Sequence, residues 1–373
     1  MDDLTGQSLG DYRIYRRLGR GAMADVYLAQ QASLERHVAL KVLSAQLARD
    51  ETYVARFQQE ARAAASLVHG NIVQIYEVGV VDERHFIAQE YVAGSNLGEL
   101  IRREGRVEPG VVLDILRQVA AALCRAAEVG IVHRDIKPEN LMFARSGEVK
   151  VADFGLARAG EAGSTNLTQA GVTMGTPLYM SPEQVQGQPV DSRSDLYSLG
   201  VTAYHMLSGT PPFDGDTPLS VAVQHLNNEP PPLLDRQPDV PIGFCRLVGR
   251  LMAKDPAGRP NGPAELIGEL RTLATDAAAE GWAAGPEDWA VTDTIALSQP
   301  LSPATTRLAE LMTEATDLRR STGGGRRGWL FPAVLGCLVL GVAVAFATRP
   351  RSLLWATPEG PTEKETVLLQ IFH

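Results

Sequence analysis

Cysteine is scarce in this chain: three in 373 residues, at Cys124, Cys245 and Cys337. They lie far apart, with no CxxC pair and no histidines at metal-ligand spacing, which argues against a disulfide framework or a zinc site and fits a reducing compartment. Positive charge is also in short supply. Lys and Arg number 35 against 44 Asp and Glu, a net charge of −9, so no nucleic-acid partner is expected. The first residues, Met1-Asp2-Asp3-Leu4, are acidic and carry no apolar run, so no signal peptide is expected there. The hydrophobic share of 45% is ordinary, and the length suits two domains or one large domain with appendages.

What is there centres on His133-Arg134-Asp135-Ile136-Lys137-Pro138-Glu139-Asn140. An acid (Asp135), a base (Lys137) and an amide (Asn140) share one short loop. Transfer of a phosphoryl group from ATP to a hydroxyl asks for that set: a carboxylate to orient the hydroxyl and take its proton, an ammonium to neutralise the moving γ-phosphoryl, and an oxygen ligand for Mg²⁺. Asp153-Phe154-Gly155 then supplies a second metal carboxylate at a turn. The chain here resembles the eukaryotic-type protein kinases, with their H-R-D-x-K-x-x-N and D-F-G loops. Ile136-Lys137-Pro138-Glu139 is similar to the serine/threonine rather than the tyrosine branch. Ser208-Gly209-Thr210-Pro211-Pro212-Phe213 and Ser181-Pro182-Glu183-Gln184 resemble its bacterial membrane-linked members.

The resemblance covers Tyr12 to Leu273 and implies an α+β, bilobal fold, with a small β-rich lobe and a larger helical one. It also implies roles. Leu18, Gly19, Gly21 and Val26 belong to the glycine-rich turn over ATP, where Ala24 stands in place of the usual third glycine. Ala39 and Lys41 on the next strand, with Met142 from the other lobe, complete the nucleotide pocket. Lys41 would hold the α/β-phosphates and pair with Glu60 on a helix spanning Tyr53 to Leu67. Strands are expected at Asn71–Tyr76 and His85–Gln89. The backbones of Glu90 and Val92 would meet the adenine edge and Asn96 the ribose. Asp135, Lys137 and Asn140 would be catalytic, and Asn140 and Asp153 would bind Mg²⁺, or Mn²⁺. Glu183 would pair with Arg259, and Asp195 would brace the catalytic loop. Between Asp153 and Glu183 lies a polar loop with hydroxyls at Ser164, Thr165, Thr168 and Thr173. An arginine beside a catalytic acid suits a phosphothreonine, so Thr168 and Thr173 are the candidate phosphosites, and a homodimer would let one copy modify another.

Past the kinase region, residues 274–327 read as a largely disordered linker rich in Ala, Thr, Gly and acids. Within it, Leu308, Leu311, Met312, Ala315 and Leu318 fall on one helical face from Pro303 on. Docking helix and transient helix are both open, and the surrounding composition favours the transient one. Residues 328–348 carry no charge and are long enough to cross a bilayer as one helix. Four arginines precede that run (Arg319, Arg320, Arg326, Arg327) and two follow (Arg349, Arg351). The positive-inside bias then keeps the kinase region cytoplasmic at the cell membrane, with a short outer tail at 349–373. The expected function is phosphorylation of serine and threonine hydroxyls of proteins in membrane-linked signalling. The alternative is a membrane-anchored pseudokinase or scaffold, whose usual sign, loss of the strand lysine, the catalytic Asp or the metal Asp, is absent.

Overall fold

An antiparallel six-stranded sheet opens the chain in the order β1–β2–β3–β4–β6–β5. Its strands are β1 (Ser8–Leu9), β2 (Tyr12–Arg20), β3 (Ala24–Gln31), β4 (Arg36–Leu43), β5 (Ile75–Val81) and β6 (Arg84–Glu90). This computed structural model describes residues 3–21, 23–154, 177–283, 285 and 305–312. Side chains alternate across a strand, and that alternation sorts the sheet into two faces. Tyr12, Ile14, Tyr27, Ala29, Val38, Leu40 and Val42 bury one face together with Phe86. Val26 sits opposite Lys41 in the register, so Val26, Lys41 and Ala39 share the other face. Helix α1 (Glu51–Ala65) is capped by Asp50, whose carboxylate accepts from the Thr52 N–H at 2.8 Å.

The second lobe is helical. It comprises α2 (Leu97–Glu104), α3 (Pro109–Glu128), α4 (Pro182–Val185), α5 (Ser192–Ser208), α6 (Pro218–Asn227), α7 (Leu233–Arg236), α8 (Ile242–Leu251) and α9 (Pro263–Glu280). Helix α3 begins with Pro109, which fits a first turn that needs no N–H donor, and its apolar residues from Val111 to Ala126 fill the core against α5. A hairpin of β7 (Leu141–Phe143) and β8 (Val149–Val151) lies between the catalytic loop and Asp153. Gly94 at the join of the lobes has to be a glycine, because a Cβ there would come within 1.8 Å of the Phe143 carbonyl oxygen.

Three expectations are corrected. Asn71–Gln74 is not strand; β5 starts at Ile75, and the Asn71 side chain instead bonds the Val149 carbonyl at 2.8 Å. The boundary at Leu273 falls inside α9, which runs on to Glu280 and is closed by Gly281 at φ 78°. The alanines that read as linker, Ala274 and Ala277, are fully buried, since small side chains let α9 pack close to its neighbours. Residues 305–312 are helical and packed rather than a transient helix, with Leu308 and Met312 in the main core. Among the described residues no helix is long and apolar enough to cross a membrane, and the expected span at 328–348 lies outside them.

Candidate active site

The catalytic loop leaves α3 and turns through Arg134, whose φ of 69° lies in the left-handed region that costs a non-glycine residue about 1–2 kcal/mol. Two neighbours hold it there. Asp195, buried on α5, accepts the His133 N–H at 2.8 Å and the Arg134 N–H at 2.7 Å. Gln184 donates its amide to the Arg134 carbonyl at 2.8 Å. Burial raises the Asp195 carboxyl above its ordinary range, against the pull of His133 and the two amides. His133 lies edge-on to Phe154 at 4.5 Å, and its Nε2 bonds the Ala152 carbonyl at 2.9 Å. On this frame one carboxylate oxygen collects both partners: Asp135 Oδ2 accepts from Lys137 Nζ at 2.7 Å and from Asn140 Nδ2 at 2.9 Å. Asn140 Nδ2 also donates to the Asp135 carbonyl at 2.8 Å, which commits the nitrogen and leaves its amide oxygen for a cation.

Across the cleft, Lys41 Nζ donates to Asp153 Oδ1 at 2.9 Å. Burial alone would raise the Asp153 carboxyl; the Lys41 ammonium, with help from His133 and Lys137, holds it below the ordinary range, in the ionised form a metal needs. Asp153 is itself left-handed, at φ 60°. The expected pairing of Lys41 with Glu60 falls outside the described residues. Glu60 lies on α1, and its side chain is outside the described structure. Gly21 N–H closes the glycine-rich turn onto the Ala24 carbonyl at 2.9 Å. The Ala24 methyl is buried with Leu43, Phe57, Ala61 and Ile87, so the residue in the third glycine's place packs the turn's exit strand toward α1. Leu18 and Gly19 end β2 beside it.

At the join, Glu90 spends its N–H on the Gln74 carbonyl at 2.8 Å. Its carboxylate takes Lys150 of β8 at 2.8 Å and the Gln74 N–H at 3.2 Å, an ion pair between the lobes that no short motif announces. Val92 is buried and accepts from the Gly94 N–H at 3.0 Å. Asn96 has an architectural task beside the ribose role expected for it. Its Oδ1 accepts the Glu99 N–H at 2.9 Å and caps α2, while its backbone bridges Met142 on β7. Hard oxygen donors from Asn140 and Asp153 suit Mg²⁺, which keeps few protein ligands and takes the rest from phosphates and water. Among the described residues no group of three or more His, Cys, Asp or Glu is placed to hold a metal.

A sequence model of the protein kinase domain matches residues 12–269. The chain belongs to the protein kinase family. Its curated relatives include the serine/threonine-protein kinase PrkC of Bacillus subtilis, 36% identical over 333 residues that cover 88% of this chain and 51% of that protein. PknB of Mycobacterium leprae is 41% identical over 263 residues, 69% of this chain and 42% of that one. The solved PknI kinase domain of Mycobacterium tuberculosis superposes with a TM-score of 0.59 at 31% identity, covering 74% of this chain and all of that domain. The chain spans about half, or less, of the length of these curated relatives.

In this kinase the floor next to the catalytic loop rests on buried polar groups. Glu183 and Arg259 form a two-pronged pair at 2.7 and 3.0 Å, with the arginine excluded from water, and Ser194 donates to the same carboxylate at 2.5 Å. Burial raises the Glu183 carboxyl less than Arg259 and Ser194 lower it, so it sits below the ordinary range. Ser181, where the family more often has alanine, caps α4 in a reciprocal box with Gln184, the residue that also holds Arg134. The serine thus fixes the amide that fixes the catalytic loop. The contact of Gln184 with Arg134, fifty residues away, leaves no local pattern in the sequence. Thr168 and Thr173 lie outside the described residues.

Proposed function

We propose that this chain is a serine/threonine protein kinase that transfers the γ-phosphoryl group of ATP to protein hydroxyls. The observation that carries the reading is the convergence of Lys137 and Asn140 on one oxygen of Asp135, with Asp153 ionised beside Lys41. Asp135, held by those two donors, has its other oxygen for a substrate hydroxyl, which it orients and whose proton it takes. The hydroxyl oxygen bonds to the γ-phosphorus as the bond to the β-phosphate oxygen breaks and ADP leaves. Lys137 neutralises charge on the moving group, and Lys41 holds the trailing phosphates. Asn140 and Asp153 would hold Mg²⁺, which would offset phosphate charge. The pseudokinase alternative has no observation in its favour.

Three finer readings belong to the same proposal. The chain modifies its own loop between Ser164 and Thr176, with a phosphate at Thr168 or Thr173 held near Arg134. A homodimer brings one copy's loop to the other's site. Residues 328–348 anchor it in the cell membrane with the kinase region in the cytoplasm.

Purified full chain, labelled ATP and a serine- or threonine-bearing protein test the chemistry. Asp135→Asn should lower turnover by about 10²–10⁴-fold while ATP binding persists. Asp153→Asn should remove metal-dependent nucleotide binding. An Asp135→Asn enzyme with full activity would discard the assignment. Mass spectrometry of the active chain should find phosphate between Ser164 and Thr176, and an unmodified loop in fully active enzyme would remove the self-modification reading.

A further inference from the structure

Segment 305–312 is fastened to the frame of the nucleotide site at both ends and along its middle. At its start the Thr305 hydroxyl donates to Asp114 Oδ2 at 2.7 Å, in a niche where Thr305 is only 4% exposed. Leu308 is fully buried in the core of the larger lobe. At its far end the Ser95 hydroxyl donates to the Met312 sulfur at 3.0 Å, and Arg103 donates to the Leu311 carbonyl at 3.2 Å. The turn between β7 and β8 meets the segment backbone to backbone. Gly147 sits there at φ +87°, and a Cβ on it would come within 2.1 Å of the Thr305 carbonyl oxygen.

Each fastening is a short step from the nucleotide pocket. The Ser95 carbonyl accepts from the Phe143 N–H at 2.8 Å, and the next residue, Asn96, bridges Met142. Asp114 Oδ2 also accepts from Gln118 at 3.0 Å. Gln118 Oε1 in turn accepts from the Val149 N–H at 2.8 Å and from Asn71 at 2.9 Å. The Asn71 carbonyl accepts from the Val151 N–H at 2.8 Å, and β8 runs two residues on to Asp153. Asp114, Gln118 and Asn71 are all buried, and a buried polar chain is costly when a member is lost.

We propose that segment 305–312 is a releasable strap on the larger lobe, which holds β7, β8 and the loop after Val92 in the nucleotide-binding arrangement. The face it covers is a docking surface whose occupant is this chain's own downstream segment. The strap makes contacts only when seated, so anything that seats or withdraws it changes nucleotide affinity by that difference. The effect on affinity rests on the nucleotide-site reading above.

The test uses the full chain, with amide hydrogen exchange and the Kd of a non-hydrolysable ATP analogue with Mg²⁺ as readouts. Leu308→Asp places a charge in the core and should unseat the strap. Thr305→Val removes only the hydroxyl at nearly constant shape, and Thr305→Ser keeps it. The expected result is faster exchange over 141–151 and a Kd raised about 5-fold or more for Leu308→Asp. Thr305→Val should give a smaller change of the same sign, and Thr305→Ser should stay near the parent. Faster exchange within 305–312 alone, with exchange over 141–151 and Kd unchanged, would overturn the proposal. If the parent chain bound no nucleotide, the site reading would fall, and exchange over 141–151 would still decide whether the strap braces that hairpin.

Discussion

Arg259 is the largest fully buried side chain among the described residues, and its charge is met by both oxygens of Glu183 and by the carbonyls of Ala253, Arg193 and Lys254. Such a pair adds little net stability over an apolar one, yet breaking it strands a charge in a low-dielectric site. Arg259→Met and Glu183→Gln should therefore each cost about 3–5 kcal/mol in denaturant unfolding. The double variant should cost less than the two together, because neither charge is then orphaned. Single variants with parental midpoints would show the pair to be inert. The pair was legible through the resemblance to the kinase family, and Asp135, Lys137, Asn140 and Asp153 through short runs with fixed spacing. Lys150 was not legible, and neither was Gln118, which meets Asn71 in the buried network. Their partners come from distant stretches, and neither pairing leaves a local pattern.

At the scale of elements, α5 and α6 hold the segment around Leu178 through two imidazoles, His225 buried and His205 half-buried. His225 bonds the Leu178 carbonyl at 3.0 Å, so that nitrogen carries its proton, and its other nitrogen accepts from the Tyr197 hydroxyl at 2.9 Å. His205 bonds the Tyr179 hydroxyl at 2.8 Å. Burial first of all, joined at His225 by the nearby Lys254, lowers both to about 4 from an ordinary 6.5. The unfolded chain then binds more protons than the folded one between those values, so stability is full above about pH 6.5 and declines toward pH 4. For His225 the loss should be on the order of 3 kcal/mol across that window. Thermal unfolding followed against pH should show the decline, and His225→Gln should flatten it. An unchanged slope would mean that other groups cause it. Strands and helices with clear periodicity, such as β6 and α1, were legible from sequence to within a few residues. The end of α9 and the segment 305–312 were not. Alanines that pack helices closely look the same in sequence as alanines in a tether, and only the partner surface tells them apart.

For the whole molecule, the question is what residues 328–348 do, since the compact unit that holds the site closes at Thr316. Ten of those residues are Leu, Val or Phe. At about −0.3 to −0.6 kcal/mol each they favour insertion by roughly 3–6 kcal/mol. An arginine at the midpoint costs about 2.5–3.5 kcal/mol, comparable with that whole driving force. With residues 328–348 as the proposed anchor, Leu338→Arg should therefore move most of the chain from the membrane to the soluble fraction. Phosphorylation of a soluble peptide should persist, because no residue assigned to the site lies beyond Thr316. Removing everything after Arg327 should release the chain more completely. A reporter fused after His373 reads orientation separately, and under the proposed anchor it should emerge on the far side from the kinase region, since four arginines precede the run and two follow it. Were the reporter cytoplasmic, or the shortened chain still held tightly by membranes, the uncharged run would not be the anchor, and attachment would have to be sought on the surface of the kinase unit itself.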